Sequence, residues 1–260
     1  MQAGELPDVF EGVRGGVPEP LAAHLQTVEL VDHHVHGTFS QPVDRADFEA
    51  SINEGSTDPV PSFMTQFDSP LGLSIRRWCA PLLGLEPLAS ADDYWARRSE
   101  FSPDDLSRIM LPAARIGRWV VDTGFKGDLI TTPERLTELS GVASSEILRL
   151  ERLTEDLLEG GTSAEDFPDA FRAALRAAVD DPHVVGTKTI AAYRVGFDVD
   201  WTRPSDADVV AHARAFVAGP RPLRVDDALL IAFGVHEAAA HGLPIQVHVG
   251  FGDRDMDLHR

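Results

Sequence analysis

The chain has 260 residues, 43% hydrophobic and 25% charged, a balance ordinary for a soluble globular protein with room for a large core. Lysine and arginine total 23 against 42 acidic residues, and the formal charge of −19 disfavours nucleic acid and anionic membranes as partners. The single cysteine, Cys79, excludes an internal disulfide and fits a reducing cytoplasm.

The first residues carry Glu5, Asp8 and Glu11 without an apolar run, which is not the pattern of a signal peptide. No stretch approaches the length of a membrane-spanning apolar segment. Residues 1–27 read as a helical preface, with Pro18 and Pro20 near the start of a short amphipathic piece. A first strand is expected over Val28–His36. The long segment 38–118 then carries turn clusters at Gly55–Pro59 and Asp68–Pro70. Helices are expected near Ile75–Leu83, Ala91–Ser99 and Pro103–Ile116, the last with Ser102 as N-cap and Asp104 and Asp105 in its first turn.

Beyond residue 118 strands and helices alternate. Trp119–Asp122 reads as a short buried strand, and a second lies less clearly within Gly141–Leu148. Helices follow over Leu150–Glu159 and Ala164–Val179, and His183–Ala192 is a further strand. Asp206–Val217 and Val225–His241 are helical, the second ended by Gly242 at the C′ position, and Leu243–Gly250 is the fifth strand. Such alternation predicts a parallel sheet with helical crossovers, either a (β/α) barrel or a doubly wound sheet. Five strands are too few to close an eight-stranded barrel, and the chain stops at Arg260 just past a strand. The expectation is one partial barrel domain over 1–260, truncated, with a helical insertion or lid at 38–118.

The chemistry concentrates at strand ends. In Glu29-Leu-Val-Asp-His-His-Val-His-Gly37, Asp32, His34 and His36 share one parity, so a strand places them on one face, with His33 turned away. Two imidazoles at i and i+2 can hold one divalent ion, and a neighbouring carboxylate can orient a ring through its second nitrogen. The alternative is a strand end that is merely rich in histidine.

Lys188 and His248 interrupt apolar strands near their C-terminal ends, where barrel active sites are built. A snorkelling lysine and a hydrogen-bonded core histidine are the simpler readings of each taken singly. If the Lys188 strand persists, Arg194 shares its face and can clamp a substrate carboxylate; a surface salt bridge is the plainer role. Gln246 shares the face of His248. Asp122 ends the second strand and reads more simply as a loop carboxylate than as support for the site. Gly250 and Gly252 permit a close backbone approach or only a turn.

Asp32-His-His-Val-His36, Gly186-Thr-Lys-Thr-Ile-Ala-Ala-Tyr-Arg194 and Pro244-Ile-Gln-Val-His-Val-Gly-Phe-Gly-Asp253 together resemble the metal-dependent amidohydrolase superfamily. Within it the chain is most similar to the amidohydrolase-2 branch, which includes domains fused to glutamine-synthetase-like modules. Ser145–Thr154 shares the flavour more weakly. The resemblance implies a distorted (β/α)8 barrel with a metal at its C-terminal mouth. His34 and His36 map to the paired histidines of strand one, and His248 to the histidine of strand five. Lys188 falls where many members carry a carboxylated, metal-bridging lysine, a modification not used by every branch. The family's strand-six histidine and strand-eight aspartate would lie beyond Arg260, so this polypeptide alone is expected to be a poor catalyst.

The reaction implied is hydrolysis of an amide or other C–N bond by metal-activated water, with a γ-glutamyl-type amide as one substrate. His34, His36, His248 and Lys188 form the expected ligand set, with Lys188 and His248 as catalytic groups, Arg194 on the substrate and Asp32 behind the ligands. Zinc suits these donors, with manganese or iron as alternatives. The partner expected is a small-molecule substrate; a homo-oligomer is compatible with the sequence. The segment 38–118 is expected to cover the site and set specificity. Competing readings are a metal-dependent decarboxylase of the same superfamily, a phosphoesterase of the polymerase-and-histidinol-phosphatase type, suggested by His34–Ser40, and a non-catalytic barrel module.

Overall fold

A computed structural model describes residues 18–53, 58, 60–125 and 127–250. Most of the expected N-terminal preface, part of the Gly55–Pro59 turn, and Gly252 and Asp253 lie outside them. The described elements run α1 (Glu19–Thr27), β1 (Leu30–Val35), α2 (Arg45–Ile52), α3 (Pro70–Trp78), α4 (Ala91–Arg98), α5 (Pro103–Ala113), β2 (Ile116–Asp122), α6 (Pro133–Ser140), and β3 (Ser144–Arg149). They continue with α7 (Leu150–Glu159), α8 (Phe167–Val179), β4 (Val184–Thr189), α9 (Ala191–Arg194), α10 (Asp206–Val217), α11 (Ala228–Ala239) and β5 (Ile245–Val247). No described helix is long and apolar enough to cross a membrane.

The five strands form one parallel sheet in the order β1-β2-β3-β4-β5. Each crossover advances by one position, which is the progression of a barrel. A doubly wound sheet would reverse its order at a switch point, and this sheet does not. The fold is therefore α/β, with a sheet like part of a TIM-type barrel. In register, Arg149 lies beside Lys188, and Lys188 beside Gln246. The interior strands are largely buried, with Val121 fully enclosed, whereas edge strands β1 and β5 expose Leu30, Val31 and Val247. An edge strand has a neighbour on one side only.

Local sequence explains where elements start and stop. Ser102 accepts a hydrogen bond from the Asp105 N–H, as its N-cap position predicts, and Ser69, Ser90, Thr132 and Ser205 cap α3, α4, α6 and α10 in the same way. Gly141 takes positive φ and ends α6, whereas α11 stops earlier than expected, at Ala239 with Ala240 as its C-cap, and Gly242 takes positive φ in the turn beyond it. The β4 strand is shorter than expected for a specific reason. Glu151, in the first turn of α7, accepts hydrogen bonds from the Thr189 hydroxyl at 2.5 Å and the Ile190 N–H at 3.0 Å. That capture removes the donor that would extend the ladder, and the chain turns into the short helix α9.

The chain packs as two compact units. The first takes residues up to His33, Gly37–Trp119 and Asp128–Ser144. Its core gathers Ile52, Phe67, Ala80, Leu83 and Tyr94. Within it buried Glu49 is fully engaged by Arg45 Nε, the Thr65 hydroxyl and the Gln66 N–H. The second unit takes His34–His36, Val120–Gly127 and the chain from Ser145 onward. Its core is built around Phe167, Phe171 and Phe233, whose rings meet at centroid separations of 5.3 to 6.1 Å. Gly234 lets α11 pack closely there, since a Cβ at that position would sit 3.3 Å from the Phe171 ring. Phe171→Ala leaves a cavity in this fully buried cluster and should destabilise the fold by about 3–5 kcal/mol, measured by urea denaturation.

Candidate functional site

The second unit brings the polar strand ends together around Asp122. This carboxylate, at the end of β2, is fully buried. Its Oδ2 lies 2.9 Å from Lys188 Nζ and also accepts from Arg149 through Nη2 and, at 3.2 Å, through Nε. Its Oδ1 accepts from the Gly124 N–H at 2.9 Å. Burial pushes the Asp122 carboxyl up, and the Arg149 and Lys188 cations outweigh that and hold it below its usual range. Asp122 is thus the hub of a buried ion cluster and not a loop carboxylate. Burial in turn lowers the Lys188 ammonium against the opposing pull of Asp122.

Arg149 escapes the sequence reading, although a cation at the C-terminal end of a barrel strand is a usable signal. It is held by close packing as well as by charge. A Cβ at Gly124 would fall 2.8 Å from Arg149 Cβ and 3.1 Å from its Nε, so only glycine fits there.

The three histidines fall into two groups. His36 Nδ1 lies 3.0 Å from the Asp122 carbonyl oxygen. A carbonyl can only accept, so His36 carries its proton on Nδ1 and leaves Nε2 bare. Burial lowers its pKa, and its ring packs against Phe125 at 4.7 Å. His34 and His248 meet edge to face, with His34 Nε2 2.9 Å from His248 Nδ1. The other nitrogen of His248, Nε2, is 2.7 Å from the Tyr193 hydroxyl, and the two rings pack at 4.6 Å. Burial first, then the charges of Lys188 and His34, push His248 down to about 4, so it is neutral at physiological pH.

Among the described residues no three His, Cys, Asp or Glu side chains converge closely enough to hold a metal ion together. The His34–His248 pair nevertheless has the donor geometry of two ligands. Two nitrogens bound to one tetrahedral zinc sit about 3.4 Å apart, so the pair needs to open by only about half an ångström. With Tyr193 accepting from His248 Nε2–H, the Nδ1 lone pair is free to face a cation. His36 and Lys188 instead converge on Asp122, and Lys188 as a paired ammonium has no lone pair to offer.

Arg194 corrects the sequence reading. The β4 strand ends at Thr189, so the alternation that would put Arg194 beside Lys188 does not continue. Its guanidinium is nearly buried, with Nη1 3.1 Å from Glu155 and 3.4 Å from the Val225 carbonyl. It locks α7 to the segment before α11 and presents no open clamp. Asp32 is half-buried and belongs to the first unit, and His33 is exposed. Tyr193 sits inside a sequence segment already singled out, but nothing in the pattern marks it as the partner of His248.

Asp122→Asn removes the one carboxylate shared by two buried cations. It should cost about 3–5 kcal/mol of stability, read as a lowered denaturation midpoint. The carboxyl is held below its unfolded value, so its contribution is present above about pH 4 and fades as the pH falls through the folded pKa. The asparagine variant should lose that acid-side dependence.

No family model matches the sequence. Protein fluG of Emericella nidulans is 26% identical across 90% of this chain, a match that occupies 30% of that protein. A solved protein of Lactobacillus casei ATCC 334, named as a presumed metal-dependent hydrolase, superposes with a TM-score of 0.64 at 24% identity. That match covers 91% of this chain and 62% of the other. The chain spans less than two thirds of either relative, and the structural likeness shows that the solved protein and this one share a fold.

Proposed function

We propose that the chain carries part of the active site of a metal-dependent hydrolase acting on an amide or other C–N bond, a γ-glutamyl-type amide among the candidates. The observation that carries this reading is the meeting of His34 Nε2, on edge strand β1, and His248 Nδ1, just past the end of edge strand β5, with the second nitrogen of His248 held by Tyr193. The likeness to a solved protein named as a presumed metal-dependent hydrolase supports it. His34 and His248 would hold the ion, zinc by donor type with manganese or iron as alternatives, and His36, which turns toward Asp122 here, would have to move its bare Nε2 to join them.

A divalent ion bound there supplies hydroxide at neutral pH, by lowering the pKa of water to about 7, and polarises the scissile carbonyl. The chain's own residues prepare the site for it. His248 is neutral above about pH 4 and so offers a lone pair instead of a charge. The Asp122 carbonyl fixes the His36 tautomer. A role for Lys188 as ligand or catalytic group rests on its conversion to a carbamate; as an ammonium it is the charge partner of Asp122.

One observation favours a decarboxylase as the second reading. Lys188 and Arg149 share a single carboxylate, and the surplus positive charge suits a substrate carboxylate. Carbon dioxide release against amide cleavage, assayed on a metal-loaded version extended to the full length of the barrel, separates the two.

The double variant His34→Ala/His36→Ala should lose bound metal by elemental analysis and keep its helix content by circular dichroism. Stoichiometric metal in that variant would show the ligand assignment to be wrong. Tyr193→Phe removes the hydrogen-bond partner of His248 and should weaken zinc binding about 10–100-fold in a chelator competition.

A further inference from the structure

A cavity of about 350 Å³ lies within the first unit. Its lining is more apolar than polar, with Trp95, Phe101, Leu106 and Met110 on the apolar side and Thr38, Arg98 and Ser107 on the polar side. There Thr38 pairs with Thr131 in both directions, Thr38 N to Thr131 Oγ1 at 3.0 Å and Thr131 N to Thr38 O at 2.8 Å. Ser107, almost fully buried, donates to Thr38 Oγ1 at 3.1 Å. Gly37 makes this close pairing possible, because a Cβ there would lie 2.2 Å from the Thr131 carbonyl oxygen.

Arg98 also lines the cavity, and its situation is unusual within the unit. Arg45, Arg76, Arg97 and Arg135 each pair with a carboxylate. Arg98 stands over the Phe48 ring at 4.5 Å and bonds to the Tyr94 side chain, and it makes no ion pair with a carboxylate among the described residues. In a chain with a formal charge of −19, a half-buried guanidinium that lines a largely apolar cavity and has no acidic partner among the described residues is a ready anchor for an anion from outside. Aromatic walls, a few convergent polar groups and this volume are the attributes of a small-molecule site.

We propose that this cavity binds a small monocarboxylate with an aromatic or bulky apolar body, the body between Trp95 and Met110 and the carboxylate at Arg98. The inference stands on the cavity and does not depend on the metal reading. Binding of 3-phenylpropionate and of its neutral amide to the full chain tests it, with calorimetry for affinity and the Trp95 indole N–H resonance for location. The acid should bind saturably and shift the Trp95 signal, and the amide should bind about tenfold more weakly or worse, as loss of a charge-assisted contact requires. Arg98→Gln should erase the preference for the acid. Met110→Trp, which fills the cavity, should abolish binding of both at an unchanged melting temperature. Absence of saturable binding by the acid overturns the proposal, as does an acid-over-amide preference that survives Arg98→Gln. Should the filled variant fail to fold, equal binding of acid and amide by the unaltered protein overturns it alone.

Discussion

One buried carboxylate organises the second unit. Asp122 accepts from Lys188 on β4, from Arg149 on β3 and from the Gly124 N–H, and its backbone carbonyl receives the His36 ring. Two cations withdrawn from water require compensation, and in low dielectric a single nearby anion supplies much of it. The three strand ends are therefore tied by charge as well as by their ladders. The same residue that neutralises the cluster also sets the tautomer of a histidine, so structural and chemical demands fall on one position.

That arrangement separates two kinds of histidine. His36 is held through its backbone-bonded nitrogen, and His248 through a phenol. Each support leaves the opposite nitrogen available, which is the requirement for a ring that is to bind something in its neutral state. The cations nearby reinforce neutrality by opposing a further positive charge.

Much of this was legible in the sequence because strand ends announce themselves. The segment around Asp32, the lysine within Val184–Thr189 and the histidine of the last strand all stand out as ionisable groups in apolar surroundings, and the sheet order follows from the alternation of elements. Period-two alternation misplaces Arg194, because Glu151 intercepts the ladder at Thr189 and Ile190 and no such pattern encodes a side chain arriving from another helix. The weight carried by Arg149 and Asp122 is hidden in the sequence for a related reason. A cation and an anion at separate strand ends look solvent-directed until their mutual distance is known. Tyr193 belongs to a short helix that has no period to read, so its partnership with His248 could come only from three dimensions.

The contact of Glu151 with the end of β4 has a mechanical consequence. Helix α7 begins immediately after β3 with no intervening loop, packs Leu150 and Leu158 into the aromatic core, and grips Thr189 with the carboxylate of its second residue. Thr189 in turn receives the backbone N–H of His248. The helix is thus a lever whose long arm lies in oil and whose short arm sets the height of an imidazole. Repacking among the phenylalanines, far from any polar chemistry, would be transmitted along it to the place where the ring nitrogens meet.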